Sequence, residues 1–360
     1  MSKLFSNEKV NMGRQVELDI AKALSIIFMI FVHATMVIPA FNNTLSSGYL
    51  FIIGDILGKP CAAPIFMFCM GVGVVYSRHS QWNVMIKRGV KLFLLGILVN
   101  IFEFFLPCLV SGYLLGMWNI FPTAGGLLLF CVDILAFAGL AFILMGILKK
   151  FELSDKILVI IAIVMSVIGT FLRFHDFGTD ILNLFFGNFI GTMGGFTAFP
   201  LFNWFIFPIA GIVWGHYFIR ANDKKEFFKF WPVFIIVSMI YFVWSTQVDG
   251  GFLSEIHYYY FMTTFDVVFC LLYAHGNIGL CYYLSKILPD LVNKIFSILS
   301  SHIDIIYIVQ WCFLPLGIIF LVYLVKGIVF TDLITAAYSI FIIIISTLFA
   351  LKYKEFRKRS

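Results

Sequence analysis

Charge is scarce in this sequence: Asp, Glu, Lys and Arg make up only 12% of its 360 residues, against roughly 25% in a soluble domain. That scarcity, with 61% hydrophobic residues and a mean hydropathy of +1.00, excludes an ordinary soluble protein. The seven cysteines (61, 69, 108, 131, 270, 281 and 312) show no C-x-x-C spacing and lie in or beside apolar stretches. They look like small hydrophobes, so neither a disulfide framework nor a zinc site is expected, and no metal is expected elsewhere. Ten-residue segments of alternating polarity are missing, which argues against a transmembrane barrel. There is also no soluble domain, low-complexity linker or clear internal repeat. No small-residue cleavage site follows the first apolar run, so that run is expected to stay as a membrane span.

What is present is a series of apolar runs about 20 residues long, the length a helix needs to cross a bilayer with its backbone satisfied internally. The pattern predicts an all-α polytopic bundle of about ten spans, at 18–40, 49–77, 88–109, 125–148, 156–173, 199–219, 230–247, 258–285, 302–325 and 328–351. Lys59-Pro60 and Pro64 should kink or split the second span, and the Phe- and Gly-rich segment 174–198 has the composition to dip back into the membrane. The expected organisation is a cytoplasmic segment 1–17, one membrane domain 18–351 and a basic cytoplasmic tail 352–360. Starting with the N-terminus inside, all Lys and Arg but Lys59, Arg173 and Lys326 fall on one side, 22 of 25. This bias predicts that both termini are cytoplasmic; the expected location is a bacterial-type inner (plasma) membrane. It also accounts for the formal net charge of +6 without nucleic-acid binding.

Few polar groups lie deep in these spans. In "ELDIAKALSIIFMIFVH" (17–33), Asp19, Lys22, Ser25, Met29 and His33 share one helical stripe, with His33 about 16 Å beyond Lys22 along the axis. A titratable group at that depth is expensive unless it faces a cavity or a partner. Glu103, which shares a face with Asn100, and Asp133 and Asp266 belong at a similar level. Each is a candidate to orient the imidazole and stabilise its cation, or else an interhelical structural carboxylate. His216 and Arg220, one turn apart, suit either a ligand or the membrane interface, as do His302 and Asp304. "GVGVVY" (71–76) lacks a third Gly in register and lies inside a span, so it points to close helix packing rather than phosphate binding.

The opening "RQVELDIAKALSIIFMIFVH" resembles the start of the transmembrane acyltransferase superfamily, R-x-x-x-L-D-x-x-R-G-x-x-x-x-x-M-x-x-x-H. Four further pieces are similar to its heparan-α-glucosaminide N-acetyltransferase-like branch. They are "APIFMFCMGVGVVYSR" (63–78), "KRGVKLFLLGILVN" (87–100), "DILAFAGLAFIL" (133–144) and "FPLFNWFIFPIAGIVWG" (199–215). "LSSHIDIIYIVQ" (299–310) resembles a closing segment that often ends Tyr-x-x-His. Lys22 stands where the superfamily usually has Arg, Ala23 where it has Gly, and Gln310 where the late His stands.

The resemblance implies an acetyltransferase that uses cytoplasmic acetyl-CoA and acetylates an amine or hydroxyl of an amino sugar or other glycan on the outer side. His33 would be the base or acetyl carrier, with Glu103 and Asp266 as further catalytic candidates. Asp19, Lys22, Arg78, Lys87, Arg88, His216 and Arg220 would bind the donor, whose pantetheine would follow the Lys22 stripe. Asp133, His257 and Gln310 would meet the acceptor, as would aromatic and polar residues of the outer loops 110–124, 174–198 and 248–261, unless those aromatics form the interfacial belt. A homodimer is compatible with this reading. The competing classes are a secondary transporter, which should show two related halves with matching broken spans, and a catalytically dead scaffold.

Overall fold

The computed structural model describes residues 4–118, 130–192 and 197–359, with side chains to residue 357. Within them the elements are helices, with no named strand and three isolated bridges. The helices in chain order are α1 Val16–Val37, α2 Ser47–Tyr76, α3 Trp82–Leu115, α4 Ile134–Lys150, α5 Asp155–Leu172 and α6 Asp180–Ile190. They continue with α7 Leu201–Phe218, α8 Lys224–Ser245, α9 Thr264–Ile287, α10 Asp290–Ser301, α11 Ile303–Leu324 and α12 Asp332–Arg359. Among the described residues, nine of these are long and apolar enough to cross a membrane. The protein is a polytopic helical membrane protein. The span expected at 125–148 is seen as α4, 17 residues long; its first residues, like Lys3 and positions 119–124 of the loop 110–124, lie outside the described residues.

α1 is the axis. Ala21, Ala23, Ile30 and Ala34 have no exposed surface, and the helix packs against α2, α9, α10, α11 and α12. Both termini reach one end of the bundle, where the Lys354 ammonium donates to the Ser301 carbonyl (2.7 Å) and Arg14 donates to the Ser297 carbonyl (2.7 Å). α5, α8 and α12 carry exposed Ile160, Val164, Val233, Ile240, Ile344 and Leu348, the apolar outer surface that lipid requires. Of the "GVGVVY" glycines, Gly71 serves packing, since a Cβ there would collide with the Pro208 carbonyl of α7, whereas Gly73 faces open space. α3 and α4 run side by side, and Gly89 lies against Gly139.

α2 breaks where its prolines predict. Leu50–Gly58 is π-helical, and the helix is interrupted at Ala62 (φ −72°, ψ −93°) between Pro60 and Pro64. Carbonyls at the break find side-chain donors: the Tyr259 hydroxyl donates to Lys59 (2.8 Å) and the Ser25 hydroxyl to Cys61 (2.9 Å). α3 has a π-helical turn at Ile101–Phe105, just before Pro107. Proline cannot donate an amide hydrogen, so the i−4 bond to the Glu103 carbonyl is lost there.

Three features depart from the expected spans. Residues 290–301 form the amphipathic helix α10, docked on α1, rather than a plain loop. Its short apolar face gives no membrane-length run. Segment 174–198 contains the 11-residue helix α6, although positions 193–196 lie outside the described residues. The tail 352–360 continues α12 to Arg359.

Candidate functional site

α11 presents Tyr307, Gln310 and Trp311 on one face, at i, i+3 and i+4, and this face meets α1 at His33. The imidazole stacks on the Trp311 indole with ring centroids 4.2 Å apart and planes at 29°, and the Tyr307 ring stands edge-on at 6.5 Å. The Tyr307 hydroxyl donates to Asp133, which precedes α4 and makes no side-chain cap to that helix. Glu103, on the π-helical turn of α3, is buried with one carboxylate oxygen lacking a partner.

These groups surround a cavity of about 290 Å³, lined by His33, Glu103, Asp133, His257, Tyr260 and Trp311 among others. A second space of about 20 Å³ adjoins His33 and Asp133 and reaches Lys59 and Tyr259. The segment over the cavity is pinned from α7: the Trp204 indole donates to the Tyr260 carbonyl (2.6 Å) and the Asn203 amide to the Met262 carbonyl (2.8 Å). Lys59 is held by Asp55 at 2.7 Å, so the described lining of the two spaces brings together two histidines, two carboxylic acids and one paired ammonium.

His33 is half-buried. Its Nδ1 is enclosed and lacks a hydrogen-bond partner, while the ring lines both spaces. An imidazole edge open to this cavity can accept a proton from a molecule bound there. Adjacent carboxylates can bind the hydroxyls or amine of that molecule.

Of the expected site residues, His33, Glu103, Asp133 and His257 meet at this cavity. Gln310 is fully buried beside the imidazole. His257 also pairs with Glu255 at 3.3 Å. Asp266 is not brought to the cavity. Its carboxylate accepts from the Tyr241 hydroxyl and, at 2.5 and 2.7 Å, from the Thr263 amide and hydroxyl, closing a capping box on α9. The fold gives it a structural task.

The expected donor residues divide. Asp19 is buried in a network with Arg14, the Ser300 hydroxyl (2.6 Å) and Lys22 (3.4 Å), beside a cavity of about 140 Å³ that Lys22 also lines. His216 and Arg220 line a larger cavity of about 630 Å³ at the terminus-bearing end, with Lys9, Lys149, Trp82 and Asp155. His216 Nδ1 lies 3.0 Å from Asp155. Arg78 and Lys87 are exposed outside it, and Arg88 lies over the Phe142 ring at 4.7 Å. The stripe from Lys22 to His33 is closed in this structure, because Ser25 and Met29 are buried in packing. In the loop before α6, the Asn183 side chain and the Gly178 amide hold the exposed Asp176 carboxyl below the usual carboxylate range.

Sequence reasoning missed Trp311, the part Tyr307 plays and the Asp55–Lys59 pair, while Tyr260 falls within the segment 248–261 whose aromatics were expected to meet the acceptor or the interface. Lys59 had a signal, a lysine next to a predicted break in a span. Trp311 had none, because aromatic residues saturate this sequence.

The family model described as heparan-alpha-glucosaminide N-acetyltransferase, catalytic, matches residues 14–245. The match takes in His33, Glu103 and Asp133 and ends before His257, Asp266 and Gln310. No curated protein and no solved structure matches the chain.

Proposed function

Because this chain belongs to the heparan-alpha-glucosaminide N-acetyltransferase catalytic family, we propose that it moves an acetyl group from acetyl-CoA to an amino sugar across the membrane, with His33 as the proton acceptor. The observation that carries this reading is the half-open His33 ring on a cavity shared with Glu103 and Asp133. In direct attack, the acceptor amine forms an N–C bond to the acetyl carbonyl, its proton passes to His33, and the C–S bond breaks to release CoA thiolate. Transient acetylation of His33 is the other order of events and uses the same ring. Glu103 and Asp133 would hold the acceptor, and His257 and Tyr260 would contact it from above.

The donor's phosphates would sit at the terminus-bearing end, where Lys9, Lys149 and Arg220 line the 630 Å³ cavity. The basic bias supports placing that end in the cytoplasm. Ser25 and Met29 must then move to let the thioester reach His33.

The test is a proteoliposome assay with acetyl-labelled CoA on the terminus-bearing face and glucosamine-terminated oligosaccharide on the other. Label on the sugar nitrogen, lost in His33→Gln, is expected. Label on oxygen would make this an O-acetyltransferase, and uptake of unmodified solute without transfer would make it a transporter.

A further inference from the structure

We propose that Gln310 is a positioning residue that fixes the tautomer of His33 by pairing its carboxamide with Nδ1. Gln310 has no exposed surface, and its carboxamide, set against the His33 imidazole, closes no hydrogen bond of normal geometry. A primary amide offers two donors and two acceptor lone pairs, and leaving all of them bare in a water-poor bundle is unfavourable. Beside it stands a second bare group, the enclosed Nδ1 of His33. Trp311, the next residue of α11, stacks on the imidazole face. The indole therefore holds the ring plane, and the pairing requires only that the Gln310 carboxamide turn to meet Nδ1.

The pairing has a chemical consequence that follows from the ring's two nitrogens. For the edge facing the cavity to accept a proton, Nε2 must be bare, so the single hydrogen of the neutral ring must reside on Nδ1. That hydrogen needs an acceptor, which the Gln310 carbonyl oxygen supplies. When Nε2 takes the proton, the Nδ1 hydrogen stays where it was and the bond persists. Of the carboxylates nearby, Asp133 is engaged by Tyr307, and Glu103 faces the cavity from α3. A neutral carboxamide orients the ring without adding a charge to that cavity.

The catalytic part of this inference rests on His33 being the proton acceptor, but its structural part can be read without any turnover. The experiment is ¹⁵N NMR of the full chain in nanodiscs with ¹⁵N-histidine and no substrate, His33 being assigned among the seven histidines by its loss in His33→Gln. The Nδ1–H tautomer should dominate in the native protein. In Gln310→Met, which keeps size and removes both hydrogen-bonding atoms, the population should shift toward the Nε2–H tautomer that an undirected neutral ring favours. Turnover should then fall roughly tenfold or more with little change in acceptor KM, because a wrongly placed proton disables the base without removing it.

Gln310→Glu keeps an acceptor oxygen, so it should retain the Nδ1–H tautomer and move the acid limb of the pH–rate profile upward, since a carboxylate stabilises the imidazolium. An unchanged tautomer population in Gln310→Met overturns the proposal, as does an unmoved acid limb in Gln310→Glu. A tautomer that shifts in a protein showing no acetyl transfer would support the pairing and remove the transferase reading instead.

Discussion

The two ends of α1 hold buried polar groups in opposite ways. At the terminus-bearing end, Asp19 is bonded by Arg14 and Ser300, with Lys22 nearby. Glu17 takes the Lys224 ammonium at 2.5 Å, and Arg14 and Lys354 reach the last turn of α10. At the far end, His33 Nδ1, a Glu103 oxygen, both Gln310 amide atoms and the Trp311 indole nitrogen lack partners. A buried charge with all its bonds made ties helices together, whereas a buried polar atom left bare costs stability unless something else pairs with it. The first set clamps the segment before α1 and α1 itself to α8, α10 and α12. The second set surrounds the cavity where a polar ligand would complete it.

Removing His33 should give the sharpest break in this comparison. His33→Ala and His33→Gln should each lower turnover by about 10²–10⁴ while leaving acetyl-CoA affinity and thermal stability near the native values. Because only a bare ring nitrogen accepts a proton, native turnover should also fall on the acid side of its pH profile. A His33→Gln enzyme with normal transfer to saturating acceptor would make the histidine structural, and Glu103 the better base.

Asp19→Ala should do the reverse. It strands Arg14 and Ser300, and loss of one partner from a largely buried network should lower stability by about 2–3 kcal/mol, read as a drop in Tm in detergent. Turnover per folded molecule should stay within a few-fold. A large fall in kcat at unchanged Tm would show that Asp19 touches the donor.

Much of this division could be read from the sequence, because helical rise fixes depth. Rise placed His33, Glu103 and Asp133 at one level, and the structure brings all three to one cavity. Depth does not fix the direction a side chain faces or what lies beside it. Asp266 shares the level of those groups but serves as the capping acid of α9, and Thr263 three residues before it was the local signal. The stripe of Lys22, Ser25, Met29 and His33 was also real, yet periodicity cannot tell an open stripe from a packed one: Ser25 is spent on the broken backbone of α2. The π-helical turns that carry Glu103 and precede Lys59 have no sequence signature beyond the prolines beside them.

Glu103→Gln probes the far end more gently, since it keeps volume and one acceptor oxygen but removes the charge. If Glu103 holds an amine-bearing acceptor, the acceptor KM should rise about tenfold, the size of one charge-assisted hydrogen bond weakened to a neutral one. The donor KM should not move. Equal loss of kcat and kcat/KM would assign Glu103 to the transition state rather than to acceptor binding.

The smallest effect is expected at the other end, and it separates two sets of cations that the sequence could not tell apart. Lys9 and Arg220 line the 630 Å³ cavity, whereas Lys87 is exposed outside it and Arg88 lies over Phe142. If the donor's phosphates bind in that cavity, Lys9→Ala with Arg220→Ala should raise the acetyl-CoA KM several-fold at low salt, each contact being worth up to about 1 kcal/mol near the surface. The effect should shrink as salt screens it over a Debye length of about 10 Å at 0.1 M. Lys87→Ala with Arg88→Ala should change the KM less than twofold, because charges of the same sign outside the cavity contribute only a screened field. A larger effect from the Lys87–Arg88 pair would move donor binding to the exposed face of α3 and leave the 630 Å³ cavity without a role in transfer.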